Sequence, residues 1–393
     1  MHMKKLMVVQ SIGAIMLFII MGFFAACEGP AGAPGADGKD GKDGTNGTNG
    51  TNGTNGTNAS ESCRQCHNAT SILVAKSLQL NHSLHVKGEA WLEGTRNSCA
   101  PCHSSQGFLD VIKTSAPKNK YLASASTLTD PTPLGCRACH KIHTAFDSTD
   151  FNLTTVAAVD MMIDTTKALV LDLGGSSNLC LKCHQPRIIK QMDFVNAPTT
   201  AYTAITSYRW GTHYGTQGAM VGGKGAFEFA GTETYSNSIH KTGASCVKCH
   251  SGPASGISGG HTFSVVNEET GALNTLGCTV SGCHSSSATV NTMVTTVRTD
   301  IDALIIALGD KLATYLEKTD GKYTGYVDIY DASANPDAAY RNPNNGNVSF
   351  PAVNNKTAAA IANFQLVVRD KSRGVHNYPY IKALLTNTIA ALP

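Results

Sequence analysis

Residues 99–103 read CAPCH and residues 136–140 read CRACH, and this order of two cysteines followed by histidine recurs through the middle of the chain. Five copies have the spacing CxxCH, and a sixth copy at residues 278–284 is stretched to CxxxxCH. Together they use twelve of the thirteen cysteines in 393 residues. The paired cysteines are Cys63 and Cys66, Cys99 and Cys102, Cys136 and Cys139, Cys180 and Cys183, Cys246 and Cys249, and Cys278 and Cys283.

This spacing indicates covalent attachment of haem. Two thiols one short turn apart can add to the two vinyl groups of one haem, and the adjacent imidazole can then bind the iron. We therefore expect six covalently bound haem c groups. Their proximal iron ligands would be His67, His103, His140, His184, His250 and His284.

Three other uses of paired cysteines fit the sequence less well. Zinc sites seldom place a histidine directly after the second cysteine of every pair. A redox dithiol would be a single motif in an α/β pattern, and a disulfide framework does not require the histidine. The stretched copy from Cys278 to His284 is the weaker signal, so another role stays open there.

The number of remaining histidines is close to the number needed as second iron ligands. Of fourteen histidines, His2 lies near the N-terminus, before the apolar run that begins at Leu6, and six follow the cysteine pairs. Six haems with histidine on both faces would need six more, and seven are present. This balance favours six-coordinate, low-spin irons. The seven are His82, His85, His143, His213, His240, His261 and His376.

The N-terminus is typical of an exported lipoprotein. Lys4 and Lys5 precede an apolar run over residues 6–24, and two alanines then stand directly before Cys27. This pattern resembles a bacterial lipobox, so residues 1–26 are predicted to be a signal peptide and Cys27 to be acylated. The protein would be an outer-membrane lipoprotein that faces the periplasm or the cell surface. An uncleaved transmembrane anchor is the alternative.

Glycine recurs at every third position from Gly29 to Asn58. This is the collagen period, which predicts a Gly-X-Y stalk over residues 27–60 and a homotrimer wound through it. A flexible monomeric spacer stays open, because the Thr-Asn-Gly triplets lack the imino acids that favour the triple helix.

The predicted fold is mainly α with extensive loops. Residues 61–286 would be a six-haem cytochrome domain of short helices and loops packed around the haems, and residues 287–393 a helical region packed on it. Apolar residues at steps of three and four predict a long helix over residues 288–318 and a second over residues 357–371. An Asn- and Pro-rich loop at residues 335–346 separates them, and Gly374 and Pro379 precede a last short helix that ends at Leu392.

Composition excludes one class of partner and describes the surface. The formal charge of +3, without a basic block, gives no indication of nucleic-acid binding. Removal of Lys4 and Lys5 with the signal lowers the charge to +1. The propionates of six haems would add about minus 6 in the oxidised state, so the mature holoprotein is expected to be acidic.

Several segments resemble blocks of multihaem c-type cytochromes from the periplasm or outer surface of respiring bacteria. They are TRNSCAPCHSSQGF at 95–108, GCRACHKIHTAFDSTDF at 135–151, RWGTHYGTQGAM at 209–220, YSNSIHKTGASCVKCH at 235–250, GGHTF at 259–263 and DKSRGVHNYPYIKALL at 370–385. The layout, with haems first and long helices last, is also similar to relatives of ammonia-forming nitrite reductase and hydroxylamine oxidoreductase.

The resemblance implies which histidines are distal ligands. It assigns His85, His143, His213, His240, His261 and His376, and it leaves His82 spare as a competitor of His85. Because His143 stands only three residues after His140, it should serve a neighbouring haem rather than that of His140.

The predicted function is electron transfer through six bis-histidine haems in periplasmic or extracellular respiration, without catalytic residues. Other cytochromes, quinol-linked donors and extracellular acceptors would be the partners. One alternative is a reductase of nitrogen or sulfur oxyanions with one open haem, where His82, His213 and Tyr214 could donate protons. The chain departs from nitrite reductase because it has no CxxCK motif. A cytochrome subunit that polymerises into a filament is the other alternative.

Overall fold

The computed structural model describes residues 67, 71–113, 127–163, 169–186, 202–203, 205, 208–328 and 353–393. All of them belong to one of the two compact units of the chain, Thr57–Pro393. The predicted signal peptide, Cys27, the Gly-X-Y stalk, Cys63, Cys66 and the loop at 335–346 lie outside the described residues.

Short helices and loops make up the described chain before residue 287, as the cysteine spacing predicts. The α-helices are α1 Ser71–His82, α2 Leu84–Lys87, α3 Ala100–His103, α4 Ser105–Lys113, α5 Cys136–Cys139, α6 Ser176–Leu181, α7 Gln217–Gly222, α8 His240–Gly243 and α9 Cys246–His250. Short 3-10 helices lie at Glu89–Thr95, Ser148–Phe151 and Gly260–Thr262.

Three longer helices follow and confirm the mainly α prediction for the C-terminal part. They are α10 Ser287–Lys311, α11 Asn355–Asp370 and α12 Tyr378–Ala391. Ser286 caps α10 by accepting a hydrogen bond from the Thr289 amide at 3.1 Å. The sequence places Pro379 before the last helix, but it lies in the first turn of α12, where its missing N–H removes no intrahelical hydrogen bond.

Strands are short and pair in twos. The antiparallel pairs are β1 Val159–Asp160 with β2 Val170–Leu171, β3 Tyr202–Thr203 with β6 Val353–Asn354, and β4 Leu316–Thr319 with β5 Lys322–Val327. Within the described residues, no helix is both long enough and apolar enough to cross a membrane.

The hairpin of β4 and β5 corrects the prediction of a helix up to residue 318. Helix α10 ends at Lys311, and the chain enters β4 at Leu316. Asp320 and Gly321 have φ of +50° and +74°, as the tight turn between two antiparallel strands requires. The Asp-Gly pair was the local signal for this turn, and it outweighs the helical spacing of the preceding apolar residues.

Helix α11 is the centre of the hydrophobic core. Thirteen of its sixteen residues are buried, because a run of alanines lets neighbouring segments approach from several sides. Its buried amides bind the loops around it. Asn363 exchanges two hydrogen bonds with the Phe227 main chain, and Gln365 bonds to Trp210 O and to the Thr212 amide. The helix thereby holds the segment that carries His213.

Candidate haem centres

The structure places histidine rings in six pairs. Each pair joins one histidine that follows a cysteine pair with one of the six expected distal histidines. The ring centres are 6.0 Å apart for His67 and His143, 6.0 Å for His184 and His85, 6.0 Å for His103 and His213, 6.1 Å for His284 and His240, 6.2 Å for His250 and His376, and 6.3 Å for His140 and His261.

This separation fits an iron atom between two imidazoles. Two metal–nitrogen bonds of about 2 Å, plus roughly an ångström from each nitrogen to its ring centre, give about 6 Å for ligands on opposite faces. Two imidazoles on adjacent corners of a tetrahedral metal would lie closer together. The angles between the ring planes vary from 14° to 78°, which rotation of each ring about its own metal bond permits.

The pairs join distant parts of the chain. His143 lies opposite His67 and not opposite His140, whose ring faces His261. His85 faces His184. His82 is exposed at the end of α1, and no ring contact with another histidine is found for it within the described residues.

The cysteine motifs form tight turns that bring the histidine next to both thiols. In three motifs the histidine amide donates to the carbonyl of the first cysteine, at 3.1 Å for His103, 2.9 Å for His140 and 2.9 Å for His184. The stretched motif makes the same bond, from the His284 amide to Cys278 O at 3.1 Å. Gly282, with φ +82°, lies among the extra residues that loop out.

Hydrogen bonds fix the orientation of six histidine rings through Nδ1. Five partners are neutral oxygens and one is a carboxylate. They are Ala90 O for His103 at 2.7 Å, Phe151 O for His140 at 2.7 Å, Phe263 O for His250 at 2.9 Å, Gln217 Oε1 for His184 at 3.1 Å, Val375 O for His240 at 3.2 Å, and Asp370 Oδ1 for His376 at 2.6 Å. A ring that donates from Nδ1 keeps the lone pair of Nε2 for a metal.

Burial favours the neutral, ligating form of several rings. Desolvation, with repulsion from His184 and His250, lowers the pKa of His85 to about 4. Burial also lowers the pKa of His184, His250 and His261. Because a metal binds the neutral imidazole, these surroundings suit ligation at neutral pH.

The cysteine motifs are packed against one another. Cys102 Sγ lies 3.9 Å from Lys182 O, and Cys183 Sγ lies 3.8 Å from Pro101 O, so the second and fourth motifs meet. Helices α6 and α9 bring the fourth and fifth motifs together, where the Cys246 amide donates to Ser177 Oγ at 3.2 Å.

The fifth and sixth motifs are also neighbours. A Cβ at Gly277 would lie only 2.5 Å from Lys248 O and 3.0 Å from Cys249 O, so glycine permits this close approach. Phe263 links two other sites, because its ring lies 5.4 Å from that of His85 and 5.6 Å from that of His261. These contacts therefore link five of the six candidate centres, those of the second to the sixth motifs.

Burial and contacts between thiols shift the pKa of several cysteines of the motifs. Burial raises the pKa of Cys139 and of Cys249 to about 11. Cys180 and Cys246 differ because their thiols interact, which raises the pKa of Cys180 and lowers that of Cys246 to about 6. None of the ten cysteines within the described residues is in a disulfide, and no group of three or more histidine, cysteine or carboxylate side chains converges there as a single-metal site.

The residues that support the candidate ligands were not predictable from spacing. Gln217 and Asp370 bond to the rings of His184 and His376, and Asp150 accepts hydrogen bonds from the main-chain amides of residues 143–146. Only Asp150 lies close in sequence to the residues that it supports, and aspartate is common in turns because its side chain binds nearby main-chain groups. Gln217 lies 33 residues from His184, so no spacing rule could have found it.

No protein-family model matches the chain, and a search of curated proteins found no match. Among solved structures, the chain is similar to the outer cell wall cytochrome OcwA, with a TM-score of 0.46 and 17% identity. The alignment covers 81% of this chain and 50% of that one, so this chain spans about half the length of the OcwA structure. Similarity at this level assigns neither a family nor a function.

Proposed function

We propose that the chain is a multihaem c-type cytochrome that carries electrons between redox proteins outside the cytoplasm. The observation that carries the proposal is the set of six histidine pairs with ring centres 6.0–6.3 Å apart. Every pair contains one histidine from a cysteine motif, which is the arrangement that a covalently attached haem with two axial histidines needs.

A bound haem supplies an iron atom that takes up and releases one electron. The protein's own residues do the rest. The cysteine turns fix the position of attachment, and hydrogen bonds to Nδ1 orient the rings. With one histidine of each pair on either side, a bound iron would have no open coordination position for a substrate. Electron transfer without catalysis is therefore the function that the geometry supports best.

The contacts between neighbouring motifs support electron transfer from one haem to the next, which we call the relay. The motifs of Cys102 and Cys183 touch, the thiols of Cys180 and Cys246 interact, and Gly277 packs against Cys249. Redox groups held by neighbouring motifs would be close enough to exchange electrons without a diffusing carrier. The fourth motif, which ends at His184, contacts both the second and the fifth motifs, so we place it at the centre of the relay.

The finer assignments belong to the same proposal. Acylated Cys27 would anchor the protein in the outer membrane, facing the periplasm or the cell surface, and the Gly-X-Y segment would space it from the membrane or join it into a trimer. Cytochromes, quinol-linked donors and extracellular acceptors would be the partners. Six covalently bound haems, one per cysteine motif, would be the cofactors.

Electron paramagnetic resonance of the oxidised holoprotein tests the proposal. Six bis-histidine irons give only low-spin ferric signals, whereas a reductase with an open haem gives a high-spin signal. His213→Ala should convert one iron in six to the high-spin form, because His213 is the ring opposite His103. His82→Ala is the matched control and should leave the spectrum unchanged.

Two results would contradict the proposal. A high-spin signal at one equivalent in the unmodified protein would favour the oxyanion reductase. A spectrum of His213→Ala identical to that of the unmodified protein would remove that histidine from the ligand set.

A further inference from the structure

His376 differs from the other ligand candidates in its hydrogen-bond partner. Within the described residues, its Nδ1 is the one that bonds to a carboxylate, Asp370 Oδ1 at 2.6 Å. Main-chain carbonyls or a glutamine amide take this place for His103, His140, His184, His240 and His250. In the pair of His250 and His376, the His376 ring is therefore hydrogen-bonded directly to the carboxylate of Asp370.

Asp370 is a buried carboxylate in an unfavourable place. Its side chain is only 1% exposed, and it is the last residue of α11, where the helix dipole disfavours negative charge. Burial of an ionised group without compensation is expensive. Besides His376, the hydroxyl of Ser372 donates to the other carboxylate oxygen, Oδ2. The hydrogen bonds from Ser372 and His376 compensate for the burial of this carboxylate.

The turn after α11 reverses the chain so that His376 contacts Asp370. Lys371 and Arg373 have φ of +60° and +54°, and Gly374 has φ +95°. Two non-glycine residues in the left-handed region within three positions store conformational strain, which persists only where surrounding contacts maintain it. Gly374 cannot carry a side chain, because a Cβ there would lie 2.6 Å from Ile301 Cγ1.

The charge of Asp370 acts on the His376 ring directly through their hydrogen bond. A carboxylate on Nδ1 makes the imidazole a stronger electron donor. A stronger donor stabilises a ferric iron more than a ferrous iron.

We propose that Asp370 is a positioning residue that lowers the reduction potential of the haem held by His250 and His376. The inference rests on the proposed function and deepens it, because it names the group that makes one centre of the relay different from the others. The fourth motif lies beside this centre, since Gln217 bonds both to the His184 ring and to the main-chain carbonyl of Asp370. Electrons that reach it would be passed on to neighbours with higher potentials.

Spectropotentiometric titration of the six-haem Asp370→Asn variant tests the inference. Asparagine keeps the shape and one acceptor oxygen but removes the charge. One of the six one-electron steps should shift upward by at least tenfold in its equilibrium constant, which corresponds to 59 mV for one electron. The low-spin resonance signal of one haem should change with it, and the other five should not.

Asp302→Asn is the matched control. Asp302 pairs with Arg373 in the same turn, so this variant removes a nearby charge that does not touch His376. The potentials of all six one-electron steps should be unchanged in this variant. Ser372→Ala provides a second, independent measurement. It removes a donor that competes for the carboxylate, which should strengthen the bond to His376 and shift the same step downward.

The possible failures are distinguishable. If Asp370→Asn retains six haems and its titration matches that of the unmodified protein, Asp370 does not tune this centre. If Asp370→Asn loses the haem, the Ser372→Ala variant provides the test. An upward shift of the reduction potential in that variant, or no shift, would then overturn the inference. If the unmodified protein lacks low-spin haem signals, the proposed function itself fails.

Discussion

Asp150 determines where His143 lies although it is not a ligand candidate. Its two carboxylate oxygens accept hydrogen bonds from the amides of residues 143–146 at 2.8–3.3 Å. His143 and Phe146 both have positive φ, a conformation that the isolated chain would seldom adopt. These bonds also lower the pKa of Asp150, with that from the Ala145 amide contributing most.

Asp150→Asn should therefore disturb one centre only. Asparagine has one acceptor oxygen, and its amide group would face main-chain donors, so the loop should relax and His143 should leave its position opposite His67. We expect partial conversion of one low-spin iron to high-spin, measured by electron paramagnetic resonance. Asp147→Asn is the control, because both bonds that Asp147 accepts go to one oxygen that asparagine retains. Equal spectra for the two variants would contradict this role of Asp150.

At this scale the sequence predicted the ligand candidates but not their supports. A histidine next to two cysteines follows directly from the chemistry of attachment. Asp370 could not be predicted, because a carboxylate six residues before His376 in sequence becomes its neighbour only through the left-handed turn at Lys371 and Arg373. Side-chain contacts of this kind depend on backbone conformation, which residue spacing does not encode.

Packing between short helices decides the position of the cysteine motifs. Helix α3, which contains Cys102 and His103, lies against α4 at a glycine. A Cβ at Gly107 would lie 2.4 Å from the carbonyl carbon and oxygen of Ala100, which real side chains do not approach so closely. Glycine costs a helix about 0.5–1 kcal/mol relative to alanine, so its presence here serves the close approach.

Gly107→Ala should destabilise the protein by about 1–3 kcal/mol, because overpacking against main-chain atoms exceeds the gain in helix propensity. The measurement is chemical denaturation of the holoprotein. Gly135→Ala is the control, since a Cβ there meets only Ser105 Oγ at 3.8 Å. It should change stability by less than about 0.5 kcal/mol. A Gly107→Ala protein as stable as this control would show that the two helices can separate without cost.

Elements with strong periodicity were predictable, and elements decided by local turn chemistry were less so. Helices α11 and α12 lie within a few residues of their predicted ranges. The hairpin after α10 was missed, because the residues before Asp320 and Gly321 also fit helical spacing. Its packing is specific, since a Cβ at Gly309 would lie 2.3 Å from the Tyr323 ring.

At the scale of the whole molecule, the sequence could not predict which distant histidines face each other. Nothing in the spacing indicates that His103 should face His213, or that His250 should face His376. These contacts join segments more than 100 residues apart and depend on α11, whose buried amides hold the loop that contains His213. Counting histidines predicted how many pairs to expect, and only the fold supplies the partners.

Charge is the second property of the whole molecule with a measurable consequence. With the propionates of six haems, the mature protein should carry a net negative charge although its polypeptide is slightly basic. Electron transfer to a basic partner should therefore slow as ionic strength rises, because screening weakens long-range attraction. Stopped-flow kinetics at increasing salt would measure this, and a rate independent of salt with such a partner would argue against an acidic surface.

The number of haems per chain is the most direct test of the central claim. The intact mass of the purified mature protein, with a pyridine haemochrome assay on the same sample, counts covalently bound haem without reference to any partner. Six haems per chain, including one on the stretched motif from Cys278 to His284, is the expected result. A colourless protein, or one that holds zinc in place of iron, would contradict the account.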